Sequence, residues 1–148
     1  MFMKRAVNCG LVKADNMKQA ILLLSFGTPR QPSDLLPYLT SIRRGKIPTE
    51  RELEVLTARY DAIGQWDNKL LQTMGEEQKK TLESLLKIDA MYLAYLHMPN
   101  SMEQAVESIA AAGYTSILCI VTSPFYSMVG TGAYERKLHS ILRAYPDI

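Results

Sequence analysis

Three short apolar runs stand out along the chain, each bounded by polar residues or turn formers. They cover Lys18–Ser25, Asp89–Leu96 and Thr115–Thr122. Runs of this length that are rich in Leu and Ile are typical of strands buried on both faces. Because Gly-Thr-Pro at 27–29 follows the first run, we expect that strand to end in a turn.

The segments between these runs have the spacing and the end signals of helices. Thr49 and Glu52 are spaced as a capping box, and Thr73 and Glu76 repeat that spacing. Glycine follows the first, second and fourth segments, as is common where helices stop. We predict helices over Ser33–Arg44, Glu50–Ile63, about Thr73–Lys87, Ser101–Ala112 and Gly132–Ala144.

The elements follow one another in the order β-α-α-α-β-α-β-α. Buried strands that alternate with helices predict an α/β fold, with a parallel sheet and right-handed crossovers. Ligands of such sheets bind beyond the carboxyl ends of the strands. We therefore expect a site among Ser25–Pro29, His97–Pro99 and Thr122–Ser127.

The first sixteen residues have no clean hydrophobic period. Their basic start resembles a signal peptide, but Asn8 and Lys13 interrupt the apolar run and no cleavage site follows. We expect residues 1–16 to be a disordered leader or extension. Residues 17–148 should form one domain, which is long enough to bury a core without disulfides.

Composition narrows the class of protein. Hydrophobic residues make up 47% of the chain, which excludes intrinsic disorder. The net charge of +2, with no long basic run, argues against nucleic-acid binding. Two cysteines, Cys9 and Cys119, fit no disulfide or zinc pattern; we interpret Cys119 as a buried apolar residue and expect a cytoplasmic protein.

Familiar nucleotide-binding and hydrolase motifs are missing. The chain has no Gly-Lys-Ser/Thr loop, no complete G-x-G-x-x-G and no G-x-S-x-G. Glu135 and His139 can share a helix face, but two ligands do not make a zinc site, and a solvated face is the simpler interpretation. For His97, at a strand end, a structural role and a ligand- or proton-carrying role are both open.

Cations and aromatic side chains gather near the predicted site. Arg43 and Arg44 fall in the last turn of the first helix, and Arg59 lies near the end of the second. Such cations either complement the helix dipole or hold carboxylates. The aromatic residues belong to the core or form a wall for a large, flat, apolar ligand with acidic edges: Phe26, Phe125, Tyr126 and Tyr134.

From about Met17 to Ile148 the chain resembles, in register, the ferrochelatase family, and most closely its bacterial members, including those that use coproporphyrin. The matching segments are Leu24–Pro29 (family A-Y-G-T-P), Ile42–Gly45 (I-R-R-G), Arg59–Gly64 (R-Y-x-A-I-G), His97 with Glu103–Val106 (H…E-x-A-V), and Pro124–Ser127 with Tyr134–Arg136 (P-H-Y-S…S-Y-x-x-R).

This resemblance implies the N-terminal lobe of a two-lobed class II chelatase, a flavodoxin-like, three-layer unit. The family inserts ferrous iron into a porphyrin in haem biosynthesis, so iron and porphyrin are expected as substrates, with no tightly bound cofactor. By resemblance, the porphyrin-binding residues are Phe26, Arg43, Arg44, Arg59, Tyr60, Asp67, Tyr126, Ser127 and Tyr134. Aromatic walls suit the ring, and fixed cations suit its propionates.

Three residues depart from the family pattern. Phe26 stands where a tyrosine can ligate iron, so it can stack on a ring but cannot ligate. Phe125 replaces a histidine, and Asp67 replaces a serine near the propionates. The family's metal-contacting His and Glu belong to the second lobe, so no base for the pyrrole protons is identified unless His97 serves.

Beside a structural remnant that binds nothing, two interpretations stay open. In one, the chain is a chelatase lobe whose other half comes from a partner chain or a second copy. A lobe without its other half exposes an apolar surface, which predicts association with another chain. Family members can also associate with membrane surfaces. In the other, the chain is a non-catalytic tetrapyrrole-binding or carrier module, which accounts for retained arginines beside a lost tyrosine and histidine.

Overall fold

The central sheet confirms the predicted strands. The computed structural model describes residues 18–66 and 69–148, so the expected leader 1–16 and Asp67 lie outside the described residues. Three parallel strands form one sheet in the order β2-β1-β3, where β1 is Gln19–Ser25, β2 is Met91–Tyr95 and β3 is Ser116–Val121. Each lies within one or two residues of its predicted bounds.

β1 is the middle strand and carries the core. Leu22 pairs with Tyr92 on one side and with Cys119 on the other, and it is fully buried. A strand covered on both faces must be apolar at every position, which is why the run reads as continuous. β3 pairs only with β1 among the described residues, and Cys119 is accordingly half-buried rather than buried, although burial still raises the pKa of its thiol to about 11.

Helices cover both faces of the sheet, as the three-layer prediction requires. They are α1 (Leu35–Ile42), α2 (Glu50–Ala62), α3 (Leu70–Leu86), α4 (Ser101–Ala111) and α5 (Thr131–Leu142). The cluster on one face joins Leu22 and Leu24 of β1 to Val106 and Ile109 of α4 and to Leu138 of α5. On the opposite face Gly75 of α3 approaches Leu93 and Tyr95 of β2.

The ends of two helices differ from the predictions. α1 begins after a single 3₁₀ turn, Pro32–Asp34, and ends at Ile42, so Arg43 is its C-cap and Arg44 lies beyond the last turn with φ +56°. The capping box of Thr49 and Glu52 is confirmed.

The second predicted capping box is wrong. α3 begins at Leu70, and the Thr73 N–H donates to the Lys69 carbonyl, so Thr73 is already inside the helix. A Thr-x-x-Glu spacing occurs by chance within helices as well as at their starts, and only the backbone tells the two apart.

Candidate functional site

A cavity of about 360 Å³ opens beside the carboxyl ends of β1 and β2. Its volume falls in the range of small-molecule sites, roughly 300–1,000 Å³. Phe26, Tyr38, Tyr60 and Tyr95 form aromatic walls, and Arg30 and Gln72 add polar groups. The cavity therefore lies where the strand-end rule places a ligand.

The turn after β1 shapes one side of the cavity because it fits closely against β2. Gly27 has φ +91°, a region that residues with a Cβ rarely adopt. A Cβ at this position would lie 2.9 Å from Cγ of Met98 and 3.0 Å from Cβ of Tyr95. Glycine thus allows the chain to turn here and lets Thr28 follow in a buried position.

His97 lies outside the cavity lining, in a small aromatic cluster with Phe26 and Tyr38, which do line the cavity. Its ring lies edge-on to Phe26, with 4.4 Å between the centroids, and 6.2 Å from the ring of Tyr38. Its Nδ1 is 2.9 Å from Oγ of Ser41 in α1. Burial, and secondarily the charge of Lys137, lower the pKa of His97 below its ordinary value of 6.5, so the imidazole is neutral at pH 7.

The state of His97 bears on its chemistry. When Nδ1–H donates to the Ser41 hydroxyl, Nε2 has a free lone pair that can accept a proton. A neutral, oriented imidazole can act as a general base, and the Phe26 ring that it contacts borders the cavity.

Two tyrosines line the cavity on the side of α1 and α2. Burial raises the pKa of Tyr38 to about 12, and a hydrogen bond with Tyr60 adds to the effect. The ring of Tyr60 packs edge-on to Trp66, with centroids 5.4 Å apart. Tyr60, which the sequence predicted as a site residue, therefore sits in a supported position on the wall.

The arginines predicted to bind propionates fall into two groups. Arg43 forms a two-pronged ion pair with Glu52, and the same carboxylate accepts hydrogen bonds from Thr49. Hydrogen bonds from Arg43 and then Thr49 lower the pKa of Glu52 to about 2. Within the described residues, the exposed side chains of Arg44 and Arg59 make no hydrogen bond or ion pair.

Of the predicted site residues that the structure describes, Phe26 and Tyr60 line the cavity. Tyr126, Ser127 and Tyr134 do not, and neither do His97 and the three arginines. Tyr134 is 4% exposed and packs in the core with α4 and β1, and burial raises the pKa of its phenol. Tyr126 is 49% exposed on the loop after β3. Ser127 Oγ accepts a hydrogen bond from the Gly130 N–H and so shapes that loop. Asp67 falls outside the described residues, and the porphyrin roles of all four stay predictions.

Sequence reasoning missed several residues of the cavity. Arg30 directly follows the Gly-Thr-Pro turn, and a strand-end range one residue longer would have included it. Tyr38 and Gln72 come from α1 and α3, and no short motif marks them; only their helical position relative to the strand ends brings them to the cavity.

The described residues hold neither a metal-ligating cluster nor a membrane-spanning helix. Residues 18–66 and 69–148 contain no group of three or more His, Cys, Asp or Glu side chains arranged to hold a metal ion. No helix in those ranges has the length and the apolar character needed to cross a bilayer.

A three-layer α/β lobe with an aromatic cavity at its strand ends defines a ligand-binding unit of the flavodoxin-like class. Residues 18–147 match the family model of ferrochelatase, so the chain belongs to the ferrochelatase family, as its motifs predicted. It is 36% identical over 122 residues to the coproporphyrin III ferrochelatase of Staphylococcus epidermidis, an alignment that covers 79% of this chain and 39% of that protein. With the enzyme of the same name from Staphylococcus aureus (strain N315), the identity is 34% over 125 residues, covering 81% and 40%. The chain thus spans about two fifths of the length of these curated relatives.

Proposed function

We propose that residues 17–148 are the N-terminal, porphyrin-binding lobe of a ferrochelatase, which inserts ferrous iron into a porphyrin in haem biosynthesis. The observation that carries the proposal is the aromatic cavity at the strand ends of a chain in this family. The named relatives favour coproporphyrin III as the substrate. Ferrous iron and the porphyrin are substrates, and no tightly bound cofactor is part of the proposal.

The side chains of the cavity suit one edge of a tetrapyrrole. Phe26 is 47% exposed at the rim, where it offers a face for stacking, and Tyr60 provides a second aromatic wall. Arg44 and Arg59 have no side-chain partner among the described residues and can pair with propionates, whereas Arg43 can bind one only by giving up Glu52.

His97 is the proposed proton acceptor of this lobe. Insertion of Fe²⁺ into the porphyrin releases the two pyrrole N–H protons, and a neutral imidazole can take up one of them. The hydrogen bond to Ser41 holds the ring in one orientation. By family resemblance, the metal-contacting His and Glu belong to the second lobe of the chelatase fold.

The cellular location and an alternative function complete the proposal. We propose a cytoplasmic protein, an inference from its cysteine usage, and contact with a membrane surface is compatible with it. The alternative function is a non-catalytic tetrapyrrole carrier. The observation that favours it is Phe26, because the exposed ring at the rim has no oxygen with which to ligate iron.

The test is an anaerobic titration of the purified chain with coproporphyrin III, followed by ferrous iron, read by absorbance. A shifted Soret band and then a metalloporphyrin spectrum support a catalytic lobe. A shift without metallation supports the carrier, or a lobe that needs its partner. No shift overturns the porphyrin-binding proposal.

A matched pair of variants on α2 provides the control. Arg59→Ala should weaken coproporphyrin binding, whereas Arg51→Ala, a change at another exposed arginine of the same helix, should not. Equal effects of the two changes would point to nonspecific charge attraction.

A further inference from the structure

The guanidinium of Arg30 is an uncommitted cation at the cavity. Arg30 borders the cavity, yet within residues 18–66 and 69–148 its side chain forms no ion pair or hydrogen bond. Arg43, by contrast, is already held by Glu52. Arg30 and Tyr95 line the same cavity. Burial and the charge of Glu76 raise the pKa of Tyr95, and the charge of Arg30 acts in the opposite direction.

The backbone that carries Arg30 is fixed on both sides. The Gln65 amide donates to Oγ1 of Thr28 at 3.1 Å and to the Pro29 carbonyl at 3.3 Å. On the other side, the Asp34 carboxylate accepts the Arg30 backbone N–H at 2.9 Å. An anchored loop of this kind presents its cation at small entropic cost, because the chain is ordered before a ligand arrives.

A second group at the cavity also lacks a partner. Oε1 of Gln72 is buried and accepts no hydrogen bond from any described residue. Buried amide oxygens almost always have a partner, so an unpaired one beside a cavity points to a donor on a ligand. The cavity thus combines aromatic walls with a cation and an acceptor that have no side-chain partner in the described part of the chain.

We propose that Arg30 is the specificity-determining cation of this cavity and binds a carboxylate of an aromatic, polycarboxylate tetrapyrrole, while Gln72 accepts a hydrogen bond from a pyrrole N–H of the same ligand. The inference deepens the proposed function, on which it rests, by naming a residue that recognises the propionate edge. Arg43 then acts as a positioning residue that ties the end of α1 to the start of α2.

The test compares two ligands and three proteins. Dissociation constants of coproporphyrin III and of its tetramethyl ester are measured by fluorescence quenching, in one buffer with a mild detergent, for the full chain and its Arg30→Gln and Arg51→Ala variants. We expect Arg30→Gln to weaken binding of the acid about tenfold or more, since a hydrogen bond to a charged group is lost. Binding of the ester, and all binding by Arg51→Ala, should stay as in the unmodified chain.

Each outcome decides a different point. An unchanged affinity of Arg30→Gln for the acid overturns the assignment of Arg30 alone, and equal losses for acid and ester overturn the charge-based explanation. Failure of the unmodified chain to bind either ligand overturns the proposed function itself. If Arg30→Gln unfolds at a lower temperature, Arg30→Lys serves as a further variant. Because lysine keeps the charge, Arg30→Lys should bind the acid more tightly than Arg30→Gln does.

Discussion

Nδ1 of His97 and Oγ of Ser41 lie 2.9 Å apart and join the end of β2 to the last turn of α1. This contact holds the imidazole edge-on to Phe26 at the rim of the cavity. The one predicted proton carrier of the lobe is therefore oriented by a neighbour that no sequence motif singled out.

The first prediction concerns the pH dependence of stability. Because burial lowers the pKa of His97 in the folded chain, the unfolded chain binds a proton here first as the pH falls below 6.5. The folded state should lose stability from that pH downward until His97 itself is protonated, and be indifferent to this residue at higher pH. His97→Gln should flatten the curve of Tm against pH below about 6.5. His139→Gln is the control, and an equal slope in both variants would contradict the assignment.

The second prediction concerns the ion pair of Arg43 and Glu52. The pKa of Glu52 is lowered to about 2, so the pair stabilises the fold above the ordinary value of 4.5, and this contribution is lost as the pH falls from 4.5 towards 2. Arg43→Ala should lower Tm at pH 7 and reduce the acid-dependent part of the decline. Arg44→Ala, which removes an arginine without a side-chain partner among the described residues, should leave Tm nearly unchanged. Additive losses in Arg43→Ala, Glu52→Gln and the double variant would contradict a coupled pair.

The third prediction concerns the turn that borders the cavity. Gly27→Ala adds a methyl group against Met98 and Tyr95 at a positive φ, whereas Gly113→Ala meets an equally positive φ with nothing within 4 Å. The backbone cost alone is about 1–2 kcal/mol, and crowding at Gly27 should add about 1–3 kcal/mol. Urea unfolding of both variants measures the difference, and equal losses would show that the close contact relaxes without cost.

The fourth prediction concerns the unpaired oxygen of Gln72. Gln72→Met removes a buried acceptor that has no partner in the described part of the chain, so the free energy of unfolding should stay the same or rise by up to about 1 kcal/mol. Coproporphyrin III should bind more weakly to the same variant, because its pyrrole N–H loses the Gln72 oxygen as a hydrogen-bond acceptor. Gln78→Met, at an exposed position of α3, should change neither quantity. A stability loss in Gln72→Met without weaker binding would mean that the amide has a purely structural partner.

The sequence predicted the layers of the fold better than the contents of the cavity. Three apolar runs located the strands, because a strand that helices cover on both faces has apolar side chains at nearly every position. Thr49 and Glu52 marked a true helix start because each is close in sequence to the group it bonds. Thr73 and Glu76 have the same residue types and spacing but lie inside a helix, so this local pattern does not distinguish a helix start from a helix interior.

The cavity depends on contacts between residues that are distant in sequence. Gln65 reaches Thr28, and Ser41 reaches His97, across gaps that no spacing rule covers. The ion pair of Arg43 with Glu52, nine residues later, was likewise not predicted from the motif, and the propionate-binding role of Arg43 stays a prediction. The packing of the helices on the sheet decides which side chains reach the cavity, and the spacing of motifs does not specify that packing.

The position of β1 in the sheet has a consequence for the way the lobe folds. β1 is synthesised first, yet it bonds strands on both sides that come much later, and the Gln19 amide meets the Ser116 hydroxyl 97 residues further along the chain. Pairing over such distances closes large loops and slows folding. During synthesis on the ribosome, β1 can form hydrogen bonds along both of its edges only after β3 has emerged. Until then this apolar strand stays unpaired and is the segment of the lobe that most needs a chaperone.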